Sequence, residues 1–263
     1  VLEKLKKLGE ENKTILCFGI DPLIEKINID GTIEEKIISY YSELIDALLE
    51  EHAIAAIKPN YAYFAQYGFD GLSALKNIIN SYKNKTFIIL DGKRGDIGKS
   101  SEAYAREIYD FWKADATTVS PYMGSDSVKP FLREGKIVYV LCRTSNEGAK
   151  DFQELKIGKK FLYEHVAKKA VEWNVGLVIG ATSNAIKRIV KITKEKVPFL
   201  IPGIGAQGGD LLMVMEAIKT NPYVHRINVS SSLAYAYEKT GEKPKDATLN
   251  EAEKLNKKIR EFL

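Results

Sequence analysis

Between positions 90 and 101 the 263-residue chain reads LDGKRGDIGKSS, which sets Asp91, Lys93 and Asp96 at the spacing D-x-K-x-x-D. On an extended strand, residues two apart project to the same face, so Asp91 and Lys93 share one side while Asp96 falls beyond, on a glycine-flanked turn. A carboxylate beside an ammonium can do charge and proton chemistry. Such a pair is suited to general acid–base and electrostatic catalysis. Spacing alone is weak support, because an exposed charged loop carries the same letters. The setting strengthens it: the pattern closes one apolar run, and Lys58 closes the run before it, AIAAIK (53–58). Lys58, Asp91, Lys93 and Asp96 alternating in one pocket would leave every desolvated charge partnered.

Such groups need a scaffold, and the chain supplies a periodic one. Eight short apolar runs rich in Ile, Val and Phe recur: TILCFGI (14–20), AIAAIK (53–58), TFIILD (86–91), ATTVS (116–120), KIVYVLC (136–142), VGLVIG (175–180), VPFLIP (197–202) and HRINVS (225–230). Near-continuous apolar strands alternating with helical patterns predict a parallel sheet covered by helices. In 32–51 the residues Ile33, Ile37, Tyr41, Leu44, Ile45 and Leu48 mark one helical face. Further helices are predicted near 61–82, 100–113, 125–132, 159–173, 184–193, 209–220 and 250–262, with the polar segment 238–248 as an exposed loop.

Eight strands with eight helices is the count of a (β/α)8 TIM barrel of the α/β class, filling 1–263 as one domain. A doubly wound open sheet is the alternative. It usually carries a glycine fingerprint after its first strand, where this chain has GIDP. In barrels the site lies at the C-terminal ends of the strands. That selects Asp21, Lys58, Asp91, Lys93, Thr144, Ser145 and the run GIGAQGG.

Composition narrows the function classes. Hydrophobic residues make up 45% and charged residues 28%, which is ordinary for a globule with a core. The 39 basic and 35 acidic residues leave a net charge of +4 without a dense cluster, which argues for solvated helix faces and against a nucleic-acid footprint. Cys17 and Cys142 sit inside apolar runs, as buried reduced thiols of a cytoplasmic protein do. No stretch approaches the roughly 18 apolar residues of a membrane span, and VLEKLKKLGE lacks a signal peptide's apolar core. His52, His165 and His225 lack metal-ligand spacing and read as surface or capping residues, so no metal is expected. Trp112 and Trp173 read as core or interface residues, and Tyr40, Tyr41, Tyr61 and Tyr63 as helix packing.

FGIDP (18–22), IKPN (57–60), LDGKRGDIG (90–98), LCRTSNEGA (141–149) and PGIGAQGGD (202–210) together resemble, in order, the segments of the orotidine 5'-phosphate decarboxylases, in their longer bacterial and archaeal branch. The resemblance implies decarboxylation of orotidine 5'-monophosphate to UMP, the last step of de novo pyrimidine synthesis, with no cofactor. It makes Lys93 the catalytic ammonium and proton donor, and Asp91 the carboxylate facing the substrate's own. Lys58 would contact ribose and hold the charge network. Asp96 would reach across a homodimer interface, with Ser100 beside it where the family usually has Thr. Asp21 would bind ribose and Ser145 the pyrimidine.

Losing CO2 from C6 leaves an electron pair in the ring plane, which the ring carbonyls delocalise poorly, so the charge must be met from outside. The distant 5'-phosphate would supply binding energy for closure around the ring. PGIGAQGGD suits it: Gly203, Gly205, Gly208 and Gly209 let backbone N–H groups approach an anion, and Gln207 could bridge phosphate and base. After the eighth strand the family presents a phosphate-gripping Arg, whereas this chain has NVSSSLAY (228–235), with Ser231 or a neighbour in that place. Hydroxyls and amides of Ser230, Ser231 and Ser232 would bind phosphate without charge, or Arg143 or Lys99 would compensate. The nearest rivals are Mg2+-dependent sugar-phosphate decarboxylases and hexulose-phosphate synthases, which share D-x-K-x-x-D but need an acidic ligand near the second strand. A binding barrel without chemistry is the other class.

Overall fold

The computed structural model describes residues 1–205 and 209–263. Each of the eight apolar runs forms a parallel strand: β1 Leu16–Ile20, β2 Ala56–Pro59, β3 Ile89–Arg94, β4 Ala116–Val119, β5 Ile137–Arg143, β6 Gly176–Ile179, β7 Phe199–Pro202 and β8 Arg226–Val229. Their order is β2-β1-β8-β7-β6-β5-β4-β3. Parallel bridges between Ile57 and Ile88 and between Asn60 and Asp91 join the two ends of that order. An open sheet would leave β2 and β3 as edges; here the sheet closes, and the (β/α)8 TIM barrel stands over the doubly wound alternative.

Both faces of the strands are buried, which is why the runs are apolar throughout. Inside the barrel Cys17, Ala56, Ile89, Ala116, Tyr139, Val178 and Leu200 form one cluster. Alternate residues such as Phe18, Ile57, Leu90, Val140, Leu177 and Ile201 pack outward under the helices. The helix Ile33–Glu50 shows the local logic: Thr32 and Glu35 form a reciprocal capping box, and Ile37, Tyr41, Leu44, Ile45 and Leu48 are buried.

Several elements differ from the sequence expectation. A helix at Leu2–Asn12 was not anticipated; its Leu5 is fully buried in the interior cluster, at the end of the barrel away from the site. Beneath that cluster Arg226, also fully buried, donates to the carbonyls of Leu5, Tyr223 and His225. His225, expected at the surface or a cap, is 0% exposed: Nδ1 accepts from the Phe199 N–H at 2.9 Å and the ring stacks on Phe199. The helix predicted over 61–82 is two, Tyr61–Ala65 and Gly68–Tyr82, parted where Gly68 takes φ +62°. Segment 100–113 becomes Gly98–Arg106 with a π turn Glu107–Phe111. The loop expected at 238–248 is largely helical, in Tyr237–Thr240 and the start of Pro244–Arg260. Proline suits a first turn, where its missing N–H has no intrahelical acceptor.

Candidate active site

At the C-terminal ends of the strands lies a cavity of about 530 Å³. Its charged side is built by β2, β3 and β4. Asp91, 7% exposed, accepts from Lys58 Nζ on Oδ2 at 2.7 Å and from Lys93 Nζ on Oδ1 at 2.7 Å. Burial alone would raise the Asp91 pKa, but the two ammonium groups outweigh it and hold the carboxyl well below the usual range. Burial likewise works to lower the Lys58 pKa, yet Asp91 and then Asp21 raise it above its ordinary value. The pair is therefore ionised as well as buried. Lys93 differs in being half exposed, so it faces the cavity with its ammonium free to meet a ligand.

The route by which Lys93 reaches Asp91 departs from simple strand alternation. The pairing of β3 with β4 shifts register between Leu90 and Arg94, and Lys93 takes φ +43°, a left-handed conformation rare for a residue with a side chain. Its backbone N–H donates to Thr118 Oγ1 at 2.9 Å, and that hydroxyl donates to Asp91 Oδ1 at 2.7 Å. Next along, Arg94 lies between Tyr61 and Tyr104, 4.4 and 4.7 Å from their ring centres, and donates to both oxygens of Glu107. The end of β3 is thus clamped on both sides.

Another wall comes from β7 and β8; β7 lies four strands from β3 in either direction round the barrel, and β8 two from β2. Gly203, Ile204, Ser230, Ser231 and Ser232 line it. Gly205, at φ +85°, follows on, and a Cβ there would come 2.4 Å from Ser232 Oγ, so glycine lets the two loops touch. Gln207 and Gly208, singled out in sequence, lie outside the described residues. Among the described residues, the cationic side chains lining the cavity are Lys58 and Lys93, which stand on β2 and β3 and not on the strands that carry the serines. Neither proposed substitute for the missing Arg is placed to help: Arg143 is buried and paired with Glu154 at 2.8 Å, and Lys99 is exposed outside the cavity lining.

Between these walls sit the remaining groups. Asp21 and Ser145 line the cavity as expected, with Leu141, Val178 and Leu200 as an apolar floor. Ser145 is fixed through its carbonyl, which accepts from Thr182 Oγ1 at 2.9 Å, and it passes over Gly180, where a Cβ would lie 2.5 Å from the Ser145 Cα. Asp21 Oδ1 and Asn228 Oδ1 are buried atoms without a partner among the described residues, acceptors available to hydroxyl or amide groups of a ligand. Asp96 and Ser100 do not line this cavity; Asp96 Oδ1 accepts from the neighbouring Ile97 N–H at 2.7 Å.

Sequence reasoning missed Thr118, Asn60, Tyr63, Gln153 and Asn228. Tyr63, assigned to helix packing, instead lines the cavity. Gln153 folds back on the turn after β5, its Oε1 accepting from Thr144 N–H at 2.8 Å and its Nε2 donating to Thr144 Oγ1 at 2.9 Å. Thr118 and Asn228 sit mid-strand, and strand alternation would have aimed them inward had register been known.

A parallel barrel with an ionised lysine–carboxylate centre on one wall of its mouth and a second wall rich in glycine and serine defines a class: (β/α)8 enzymes acting on small anionic ligands. Residues 14–255 match the family described as Orotidine 5'-phosphate decarboxylase / HUMPS family. The chain belongs to that family. A relative named orotidine 5'-phosphate decarboxylase, from Dehalococcoides mccartyi, is 38% identical, the match covering 99% of this chain and 97% of that one. Another of that name, from Cupriavidus metallidurans, is 43% identical over 89% of each. Among solved structures, Leishmania donovani OMP decarboxylase superposes with TM-score 0.82 at 36% identity, covering 98% of both chains. The UMP synthase of the same organism gives TM-score 0.82 at 39% identity, and there this chain spans about half, 55%, of the longer protein.

Proposed function

We propose that this barrel decarboxylates orotidine 5'-monophosphate to UMP and CO2, completing pyrimidine nucleotide synthesis, with no metal or organic cofactor. The observation that carries the reading is the Lys58–Asp91–Lys93 centre, with a half-exposed ammonium 2.7 Å from a buried carboxylate at the mouth of the barrel. When the C6–carboxylate bond breaks, its electron pair stays on C6. Lys93 Nζ meets that charge and gives C6 its proton, and solvent restores the ammonium. Asp91 holds Lys93 in place and faces the departing carboxylate; Lys58 keeps Asp91 ionised and reaches toward ribose.

Asp21 takes a ribose hydroxyl on its unpartnered Oδ1, and Ser145 a polar edge of the pyrimidine. Ser230 and Ser231, with the backbone at Gly205 and with Gln207 and Gly208, receive the phosphate. Asp96 and Ser100, outside their own chain's cavity, serve the neighbouring subunit's site in a homodimer. The whole of 1–263 acts as one barrel domain, in the cytoplasm, in keeping with two buried free cysteines and with no described helix long and apolar enough to cross a membrane.

The metal-dependent branch of the family is disfavoured by position: Lys58 stands where an acidic ligand would be needed, and a dication beside Asp91 would meet two ammonium groups. The test is the absorbance change of orotidine 5'-monophosphate with purified protein, with and without EDTA, beside Lys93→Ala. Turnover that survives the chelator and fails in the variant is expected. Equal turnover by both proteins, or loss with EDTA, would overturn the reading.

A further inference from the structure

We infer that Thr118 is a positioning residue for the decarboxylation, holding the backbone and the ammonium of Lys93 to one oxygen of Asp91. The inference rests on the function proposed above. Three bonds close a ring: Lys93 Nζ to Asp91 Oδ1 at 2.7 Å, Thr118 Oγ1 to Asp91 Oδ1 at 2.7 Å, and Lys93 N–H to Thr118 Oγ1 at 2.9 Å. The backbone end of Lys93 is thereby tied, through Thr118 Oγ1, to the same Asp91 oxygen that takes its ammonium.

The need for such a ring follows from the backbone. The register shift in β3 falls across Lys93, and its N–H takes a side-chain hydroxyl as acceptor where a strand would offer a carbonyl. At the same time Lys93 sits at φ +43°, a conformation unfavourable for a residue with a Cβ, which persists only when its surroundings enforce it. Thr118 supplies that enforcement. It is 1% exposed, and its one hydroxyl proton is given to Asp91, which leaves its lone pairs for the Lys93 amide. The single hydroxyl oxygen accepts from the amide and donates to the carboxylate at once. Serine would keep both bonds; valine, of the same shape, would keep neither.

A hydroxyl used this way serves the ammonium's placement and leaves ligand contacts alone, so its loss appears in kcat. Thr117 is a control on the same strand: its hydroxyl donates to the Leu90 carbonyl at 2.8 Å, also tying β4 to β3, and it does not line the cavity. The experiment measures kcat and KM for orotidine 5'-monophosphate in the wild type, Thr118→Val, Thr118→Ser and Thr117→Val. Expected is a loss of at least about tenfold in kcat for Thr118→Val with KM within about twofold, Thr118→Ser within about threefold of the wild type, and Thr117→Val unchanged in kcat. If Thr118→Val does not fold, Thr118→Ala against Thr118→Ser isolates the same hydroxyl. A full kcat in Thr118→Val, or equal losses in the hydroxyl-bearing and hydroxyl-free variants, would overturn the inference. A wild type that leaves orotidine 5'-monophosphate intact would instead end the proposed function.

Discussion

Replacing Asp91 by Asn should cost more stability than removing the lysine it partners. The side chain of Lys58 is 5% exposed, and Asp91 Oδ2 is its hydrogen-bond partner at 2.7 Å. Asparagine keeps the shape but strips a buried ammonium of its hydrogen-bonded counter-ion, leaving only the longer-range pull of Asp21, at a cost of about 3–5 kcal/mol. In Lys58→Met, by contrast, Asp91 keeps Lys93 and Thr118, both at 2.7 Å, and the loss should be nearer about 1.5–3 kcal/mol. The double variant Lys58→Met/Asp91→Asn removes the orphaned charge, so it should be at least about 2 kcal/mol more stable than Asp91→Asn alone.

Urea unfolding at pH 7, followed by the fluorescence of Trp112 and Trp173, gives all four midpoints. Raising the pH separates charge from packing. In the wild type Lys58 has a raised pKa, so its contribution is fully present below its ordinary 10.5 and is level between pH 7 and 9.5. In Asp91→Asn burial dominates, the folded protein sheds the proton before the unfolded chain does, and stability climbs over that range. A double variant no more stable than Asp91→Asn, with no climb, would refute the buried-charge argument.

Three further outcomes follow from the same geometry. Ser231→Arg would put a guanidinium on the uncharged wall facing the phosphate; KM for orotidine 5'-monophosphate should fall about 10- to 100-fold with kcat unchanged, and an unchanged KM would count against that wall as the phosphate site. Mixing the inactive Lys93→Ala and Asp96→Ala proteins should restore about a quarter of wild-type turnover if Asp96 serves the partner's site, since a heterodimer then holds one complete centre; a mixture that stays inactive refutes the shared site. His225 has its pKa lowered, chiefly by burial against the opposing pull of Glu195, so the unfolded chain takes up a proton first and stability is lost as pH falls below the ordinary 6.5. His225→Gln, which keeps an acceptor for the Phe199 N–H, should flatten the loss between pH 6.5 and 5; identical slopes would exclude this histidine as its source.

All eight strands were legible because a barrel strand is buried on both faces, so an apolar run closed by a polar residue marks both the strand and its functional end. Asp21, Lys58, Asp91, Lys93 and Ser145 were found by that rule. Helix boundaries were less legible where the chain breaks for tertiary reasons, as at Gly68, or where a polar segment such as Pro244–Arg260 is helical because its far side packs. His225 was misjudged because nothing local distinguishes a buried imidazole from a capping one.

By itself, then, the amino-acid sequence determined the barrel and the identity of its charged groups, since these depend on local periodicity and on the order of the strands. Only the tertiary structure decided how those groups are held. The left-handed turn at Lys93, the hydroxyl of Thr118 beneath it and the clamp on Arg94 depend on register between strands and on contacts between residues far apart in the chain. A one-residue slip reverses which side chains face inward. No pattern along a single strand encodes that register.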